Sequence, residues 1–418
     1  MSTFKITGGA KLEGKIKIAG NKNSVLPIMA ASILSNETTT LKNVPQISDV
    51  EIMIQLLEIV GVRTKRIGKD SLEIDPKNIR FAPFPSELTE KLRASVLLLG
   101  PLLARVKKAK MGYPGGDIIG RRPLETHIQA LESLGASVEK ENEIFVAEVP
   151  DRLKGAEIFL EEASVTATEN ALMAAVTAVG QTVIKRAASE PHIIDLCNFL
   201  NKMGAKITGI GSNVLTIDGV DSLRGTQHSI SPDHIEVGTF AILSAVTRGT
   251  IEMSPIIAED LDMILLTLSK FNVDFTVNGD TLIVGDSELK ATEKVVTDVW
   301  PGFPTDLMAP TIVLATQARG ATILHDWMYE SRMFFVDKLI SMGAKVEIAD
   351  PHRVFVYGPS ALRGQKLDTP DIRAGIALVI AALTAKGESQ INKAELIERG
   401  YENIVERLKS LGAKIERV

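Results

Sequence analysis

The chain has 418 residues, 45% hydrophobic and 24% charged, enough for at least two hydrophobic cores. Its 47 basic and 52 acidic residues leave a net charge of -5, which offers no basic excess for a nucleic-acid partner. Small anionic ligands remain open, because they need only a few convergent cations.

The first segment, MSTFKITGGAKL, carries no apolar signal, and nowhere do 18 uncharged apolar residues follow one another. The expectation is a cytoplasmic protein with no membrane partner, a monomer or weak homo-oligomer. A degenerate repeat then runs along the chain. LEIVGVRT with Gly61 is echoed by LESLGASV with Gly135, LNKMGAKI with Gly204, LSKFNVDF with Asn272, LISMGAKV with Gly343 and LKSLGAKI with Gly412. The spacings are 74, 69, 68, 71 and 69 residues. In each copy a leucine-patterned helix stops at Gly or Asn, which tolerate a left-handed cap, and a short alternating strand follows. Upstream lies a second helix, apolar nearly all round and therefore buried: NSVLPIMAASIL, LTEKLRASVLLLGPLLA, ATENALMAAVTAV, IEVGTFAILSAV, DLMAPTIVLATQA and DIRAGIALVIAALTA. A turn and a strand such as GQTVIKRA join the two helices. The unit reads strand–helix–strand–helix–strands, six times over. Six units with buried central helices fit two pseudo-threefold α/β domains better than an open array, although the count alone admits both.

Charged groups cluster at the starts of these buried helices. Lys22 and Asn23 precede the first, Arg93 lies near the start of the second, Asp306 opens the fifth, and Arg373 falls in the first turn of the sixth. Cations there run against the helix dipole and suit an anionic ligand, or else a salt bridge. The loop GYPGGDIIGRRPLETH holds Gly112, Gly115, Gly116 and Gly120 together with Asp117, Arg121 and Arg122. It reads as a flexible tip between strands or as a lid over a charged substrate. It lacks the Lys-Ser/Thr of a phosphate-binding P-loop. His127 serves the site or simply packs. Glu161 and Glu162 face solvent. Glu190, His192 and Asp195 sit in an N-terminal helical turn rather than a metal cluster, and neither metal nor cofactor is expected. The single Cys197 reads as a buried structural thiol and excludes an intramolecular disulfide.

The segments GNKNSVLPI, LRAS, GGDIIGRRP, SVTATEN, GFPTDLMAP, ESRMF, DIRAG and RGYENI, in this order, give the chain its resemblance. It resembles the bacterial UDP-N-acetylglucosamine 1-carboxyvinyltransferases, a family of enolpyruvyl transferases, over nearly its whole length. The resemblance implies an inside-out α/β barrel of two threefold domains: residues 1–20 with 230–418, and residues 21–229 carrying the Asp117 loop, with the active site in the cleft between them. It implies transfer of the enolpyruvyl group of phosphoenolpyruvate to the 3'-hydroxyl of UDP-N-acetylglucosamine, with loss of phosphate, as the first committed step of peptidoglycan synthesis. Lys22, Arg122 and Arg399 would surround the phosphate, Arg93 would be a further positioning cation, and Arg332 and Arg373 would pair with the carboxylate. Asn23, Ser164, Val165, Thr166 and Met328, with Arg93 and Arg122, would hold the nucleotide-sugar. Asp306 would contact the attacking hydroxyl as base or orienting group.

Asp117 stands where most members carry a cysteine, the general acid and the target of fosfomycin. A free aspartic acid titrates near 3.9 and a free cysteine near 8.5, so the same work asks more of Asp117. Members with this aspartate are active. The resemblance therefore implies that Asp117 is the acid and that fosfomycin does not inactivate the protein. Further departures are His234 for Arg, Ser331 for Asn, DIRAG for DLRAS, Trp300, and Glu162 where some relatives have Lys. Transfer to shikimate 3-phosphate, and a non-catalytic nucleotide-sugar binder on the same fold, are the competing readings.

Overall fold

All six expected helix stops adopt the left-handed backbone, with φ of 87° at Gly61, 93° at Gly135, 106° at Gly204, 59° at Asn272, 98° at Gly343 and 95° at Gly412. A strand follows each one: Arg63–Ile67, Ser137–Glu141, Lys206–Thr208, Phe275–Asn278, Lys345–Asp350 and Lys414–Arg417. The computed structural model describes residues 2–117, 119–141 and 143–418.

By contact the chain divides into two units: Met1–Ala19, Asp117–Arg121 and Pro232–Val418 in the first, Gly20–Gly116 and Arg122–Ser231 in the second. Asp117–Arg121 thus groups with the first unit, whereas the sequence expectation carries that loop in the 21–229 domain.

In the first unit the helices His234–Thr247, Met308–Gln317 and Ile372–Thr384 pack on one another. Every residue of His234–Thr247 is buried, as its all-round apolar sequence requires. Three four-stranded sheets surround them, and each combines one parallel pair with two antiparallel pairs. In one of these, strand Thr3–Thr7 lies between Glu388–Asn392 and Lys414–Arg417, antiparallel to both. Phe4 and Ile6 point inward from that strand while Lys5 and Thr7 face out. Each such buried side chain contributes about 1.5–3 kcal/mol.

The second unit repeats the plan around Lys22–Ala31, Leu99–Val106 and Val165–Ala175. Two of its sheets have four strands, and the third has three. Beside that third sheet, Phe84 N donates to Lys110 O at 3.0 Å, where the other sheets have a parallel strand.

Four of the six central helices start on a side-chain cap. Asn21 accepts from Asn23 N, Ser164 from Ala167 N, Asp233 from Ile235 N and Glu236 N, and Asp371 from Arg373 N and Ala374 N. Lys22 and Asn23 therefore lie within the first turn of their helix rather than before it. The other two central helices start differently. Arg93–Leu98 is a 3-10 turn leading into the α-helix Leu99–Val106, and Thr305–Leu307 leads into Met308–Gln317. Pro101 and Pro310 are each the third residue of their α-helix, where no N–H is needed. The ring would clash with a helical carbonyl four residues earlier, so the preceding turn stays tighter. The expected continuous helix over 88–104 is instead a short helix Ser86–Thr89, the 3-10 turn Arg93–Leu98 and the α-helix from Leu99, and Pro101 accounts for the last of these joins.

Candidate active site

In the first unit the Asp306 carboxylate sits between two buried guanidinium groups. Arg332 Nη2 donates to Oδ1 at 3.1 Å, and Arg373 donates to Oδ2 from Nε at 3.0 Å and from Nη2 at 2.8 Å. The 3-10 turn presents Asp306 and the first turn of the sixth central helix presents Arg373, so two element starts fix this geometry. Arg373 also donates to the Tyr401 hydroxyl at 3.0 Å, which in turn meets Thr239 Oγ1 at 3.0 Å. Burial works against the Arg332 charge, yet Asp306, Asp371 and Asp326 around it hold its pKa above the ordinary guanidinium value. Asp326 is fully buried and accepts from Thr297 Oγ1, Thr305 Oγ1 and Met328 N. This ties the Met328 backbone to the turn that carries Asp306.

His234 packs edge-on against Trp300, with centroids 6.1 Å apart and planes at 70°. Two of the departures from the family pattern are thus neighbours. Burial depresses the His234 pKa to about 4, against the pull of Asp306 and with help from Arg373, so the imidazole is neutral at pH 7.

Asp117 Oδ1 meets Arg399 Nη1 at 2.7 Å, and both side chains are sheltered, at 17% and 15% exposure. The same loop is pinned to its unit by backbone bonds: Arg121 N donates to Glu330 Oε2 at 3.2 Å, and Ser331 N donates to Ile119 O at 3.0 Å. Gly120 has φ of 136°, and a Cβ there would lie 2.2 Å from Glu330 Oε2, so only glycine fits. Asp371, the cap of the sixth central helix, is also close. Burial raises its carboxyl pKa, Arg332 and two backbone N–H groups oppose the rise, and the Asp117 charge adds to it.

In the second unit Lys22 Nζ meets the buried Asp49 carboxylate at 3.0 Å. Asn23 N donates to Asn21 Oδ1 at 2.8 Å, in the same turn. Arg93 grips backbone: Nη2 donates to Arg122 O at 2.7 Å and Pro123 O at 3.3 Å, and Nη1 to Pro114 O at 3.3 Å. It braces both flanks of the glycine-rich loop, a role its sequence position does not reveal. Arg122 is half-exposed, and its carbonyl accepts from Arg93 and from the Tyr113 hydroxyl.

Ser164 caps the helix that starts at Val165, and Thr166 Oγ1 lies 3.0 Å from His127 Nε2. Asn170 sets the imidazole. Its Oδ1 accepts from Gly100 N, so its amide N–H groups face Val96 O and His127 Nδ1. The ring proton must then sit on Nε2 and point at Thr166. Burial, aided by Arg93, lowers the His127 pKa to about 3, which keeps the ring neutral. His127 therefore packs and positions Thr166.

Of the groups set aside in the sequence, Glu161 and Glu162 are exposed and Cys197 is buried. Burial pushes the Cys197 thiol up to about 12, with the Glu169 charge adding to the effect, so it is inert at pH 7. Asp195 accepts from His228 Nε2 at 2.8 Å and from Ser231, and is thereby a structural carboxylate. No group of three or more metal-binding side chains occurs among the described residues. No helix among them is long and apolar enough to cross a membrane. Sequence reading missed Asp49, Asp326, Asp371, Tyr401 and the His127–Asn170 pair. Only Asp371 carried a signal, an Asp just before a buried apolar helix.

A family model for EPSP synthase (3-phosphoshikimate 1-carboxyvinyltransferase) matches residues 6–408. The chain belongs to this family of enolpyruvyl transferases. Among its relatives is the UDP-N-acetylglucosamine 1-carboxyvinyltransferase of Treponema denticola, 49% identical over 100% of this chain and 99% of that one. The protein of the same name from Bradyrhizobium diazoefficiens is 48% identical over 99% and 98%. The crystal structure of the enolpyruvyl transferase NikO from Streptomyces tendae superposes with a TM-score of 0.90 at 23% identity, covering 100% of this chain and 99% of that one. The fold is the two-domain inside-out barrel of this superfamily, as the resemblance implied.

Proposed function

We propose that the protein transfers the enolpyruvyl group of phosphoenolpyruvate to the 3'-hydroxyl of UDP-N-acetylglucosamine and releases phosphate, the first committed step of peptidoglycan synthesis. The observation that carries this reading is identity near one half, end to end, with relatives bearing that activity in their names. The acceptor shikimate 3-phosphate is favoured only by the description of the broader family.

The chemistry is addition followed by elimination. Asp117 gives a proton to C3 of phosphoenolpyruvate, and C2 gains oxocarbenium character. The sugar oxygen attacks C2 to form a phospho-ketal as its proton passes to the Asp306 carboxylate. A C3 proton returns to the Asp117 carboxylate as phosphate leaves, which restores the double bond. Lys22, Arg122 and Arg399 stabilise the phosphate throughout, a preorganised cation set of the kind that lowers such barriers most. Arg332 and Arg373 serve the substrate carboxylate while they fix Asp306. Two guanidinium groups fix the Asp306 carboxylate, which accepts a hydrogen bond from the 3'-hydroxyl and orients it. Asn23, Ser164, Val165, Thr166 and Met328 hold the nucleotide-sugar, and Arg93 acts by holding the loop flanks.

The test is phosphate release dependent on phosphoenolpyruvate, with mass spectrometry of the product and the two acceptors in separate arms. Enolpyruvyl-UDP-N-acetylglucosamine is expected. Phosphate release with shikimate 3-phosphate alone, or with neither acceptor, would overturn the reading.

A further inference from the structure

Asp117 and Arg399 form a sheltered ion pair at 2.7 Å, one of whose members is assigned above to the substrate phosphate. A surface pair of this kind would be screened and of little consequence, but at 17% and 15% exposure this one is largely removed from bulk solvent. A carboxylate and a phosphate oxygen present the same charge-assisted acceptor to a guanidinium. Asp117 therefore occupies, on a tether, the contact that an incoming phosphate needs.

We propose that Asp117 is a tethered competitor for the phosphate site, and that phosphate binding displaces it from Arg399 with uptake of one proton. The inference rests on the reading of Arg399 as a phosphate cation. Displacement leaves Asp117 beside a dianion and without its counter-charge. Asp371, itself opposed by Arg332, also faces it, so Asp117 would share the site with a second acidic group and a phosphate that has taken the Arg399 contact, while Lys22 and Arg122 serve that phosphate. Glu330 and Arg121 belong to the same latch, with Glu330 bonded to the Arg121 backbone rather than free to neutralise anything. Like charges at such a site are relieved when one takes a proton from solvent. That proton is the one passed to C3, so loading the substrate also arms the acid. When phosphate leaves, Asp117 gives that proton back to solvent, returns to Arg399 and blocks phosphate rebinding.

The experiment is calorimetric titration of inorganic phosphate into the enzyme saturated with UDP-N-acetylglucosamine, in buffers of different ionisation enthalpy, for the wild type, D117N and D117C. The wild type is expected to take up about one more proton per phosphate than either variant. Its phosphate affinity should weaken, relative to D117N, by about tenfold per unit of rising pH. D117N should bind phosphate at least about tenfold more tightly than the wild type at the alkaline end. Equal proton uptake by the three proteins, with phosphate bound by all, overturns the proposal and leaves the function standing. Phosphate bound by none overturns the assignment of Arg399 and the proposal with it. D117C guards against a folding defect in D117N, because a thiol also removes the carboxylate.

Discussion

Two arginines on one carboxylate leave Asp306 little freedom to rotate, which suits the role proposed for it at the attacking hydroxyl. Replacing it with asparagine keeps the shape but leaves Arg332 and Arg373 buried without their shared anion. Asp306→Asn should lower kcat by about 10²–10⁴-fold. The KM for UDP-N-acetylglucosamine should change far less, and steady-state kinetics reads both. Equal effects on the two would return Asp306 to a binding role. A carboxylate is a weaker nucleophile than a thiolate, and Asp117 is further occupied by Arg399. Incubation with fosfomycin should therefore leave turnover intact and give no adduct mass. Sequence reading reached Asp117, Asp306 and the arginines through short motifs. It could not reach what they touch in the unliganded chain, because partners such as Asp306 and Arg373 lie on different helices far apart in sequence. Arg93 is the clearest case: a cation near a helix start reads as ligand-binding, and its three carbonyl acceptors appear only in three dimensions.

At the level of elements, the close approach of two central helices in the second unit depends on Gly100. A Cβ there would lie 2.5 Å from Asn170 O. Asn170 secures the contact with three hydrogen bonds and sets the His127 ring that meets Thr166. Asn170→Ala should destabilise the protein by about 1–3 kcal/mol, since the buried Gly100 N–H loses its acceptor while Val96 C=O keeps the Leu99 N–H. The denaturation midpoint measures this, and a raised KM for the nucleotide-sugar should accompany it as Thr166 loses its support. Helix stops were legible because glycine and asparagine mark a left-handed cap locally. The split of the second central helix was less so: Gly100-Pro101 lies inside an unbroken apolar run, and only the backbone shows that the α-helix starts at Leu99.

Across the molecule, buried titratable groups set how stability depends on pH. His127 and His234 have pKa values held down to about 3 and about 4. Above the ordinary imidazole value near 6.5 their neutral burial carries no penalty. As pH falls below that, the unfolded chain binds protons that the folded chain refuses, and stability drops. Each group acts at about 1.4 kcal/mol per pH unit until its folded value is reached. The second unit also holds Glu190, raised to about 7 by burial, and Glu169, raised well above the usual range by burial and the Glu190 charge. For these the sign reverses: from about 4.5 upward the unfolded chain loses protons that the folded chain keeps, so stability falls as pH rises. Glu169→Gln should therefore raise the melting temperature at pH 8 and leave it nearly unchanged at pH 4. A uniform shift at both would show that packing, not protonation, governs this site.

The strand Thr3–Thr7 lies between the strands Glu388–Asn392 and Lys414–Arg417, so the last repeat is completed by a strand made long before it. On a ribosome, which adds about 5–20 residues per second, that strand must wait on the order of 20–80 s for its neighbours. The second unit has its own return, Gln227–Ser229 pairing parallel with Thr39–Lys42, but apart from its loop tip it lies wholly between Gly20 and Ser231. It can close while synthesis continues. Birth order is thus written into the topology: the unit begun second is finished first, and the exposed edge of Thr3–Thr7 stays open to chaperones or to mispairing until Lys414–Arg417 emerges.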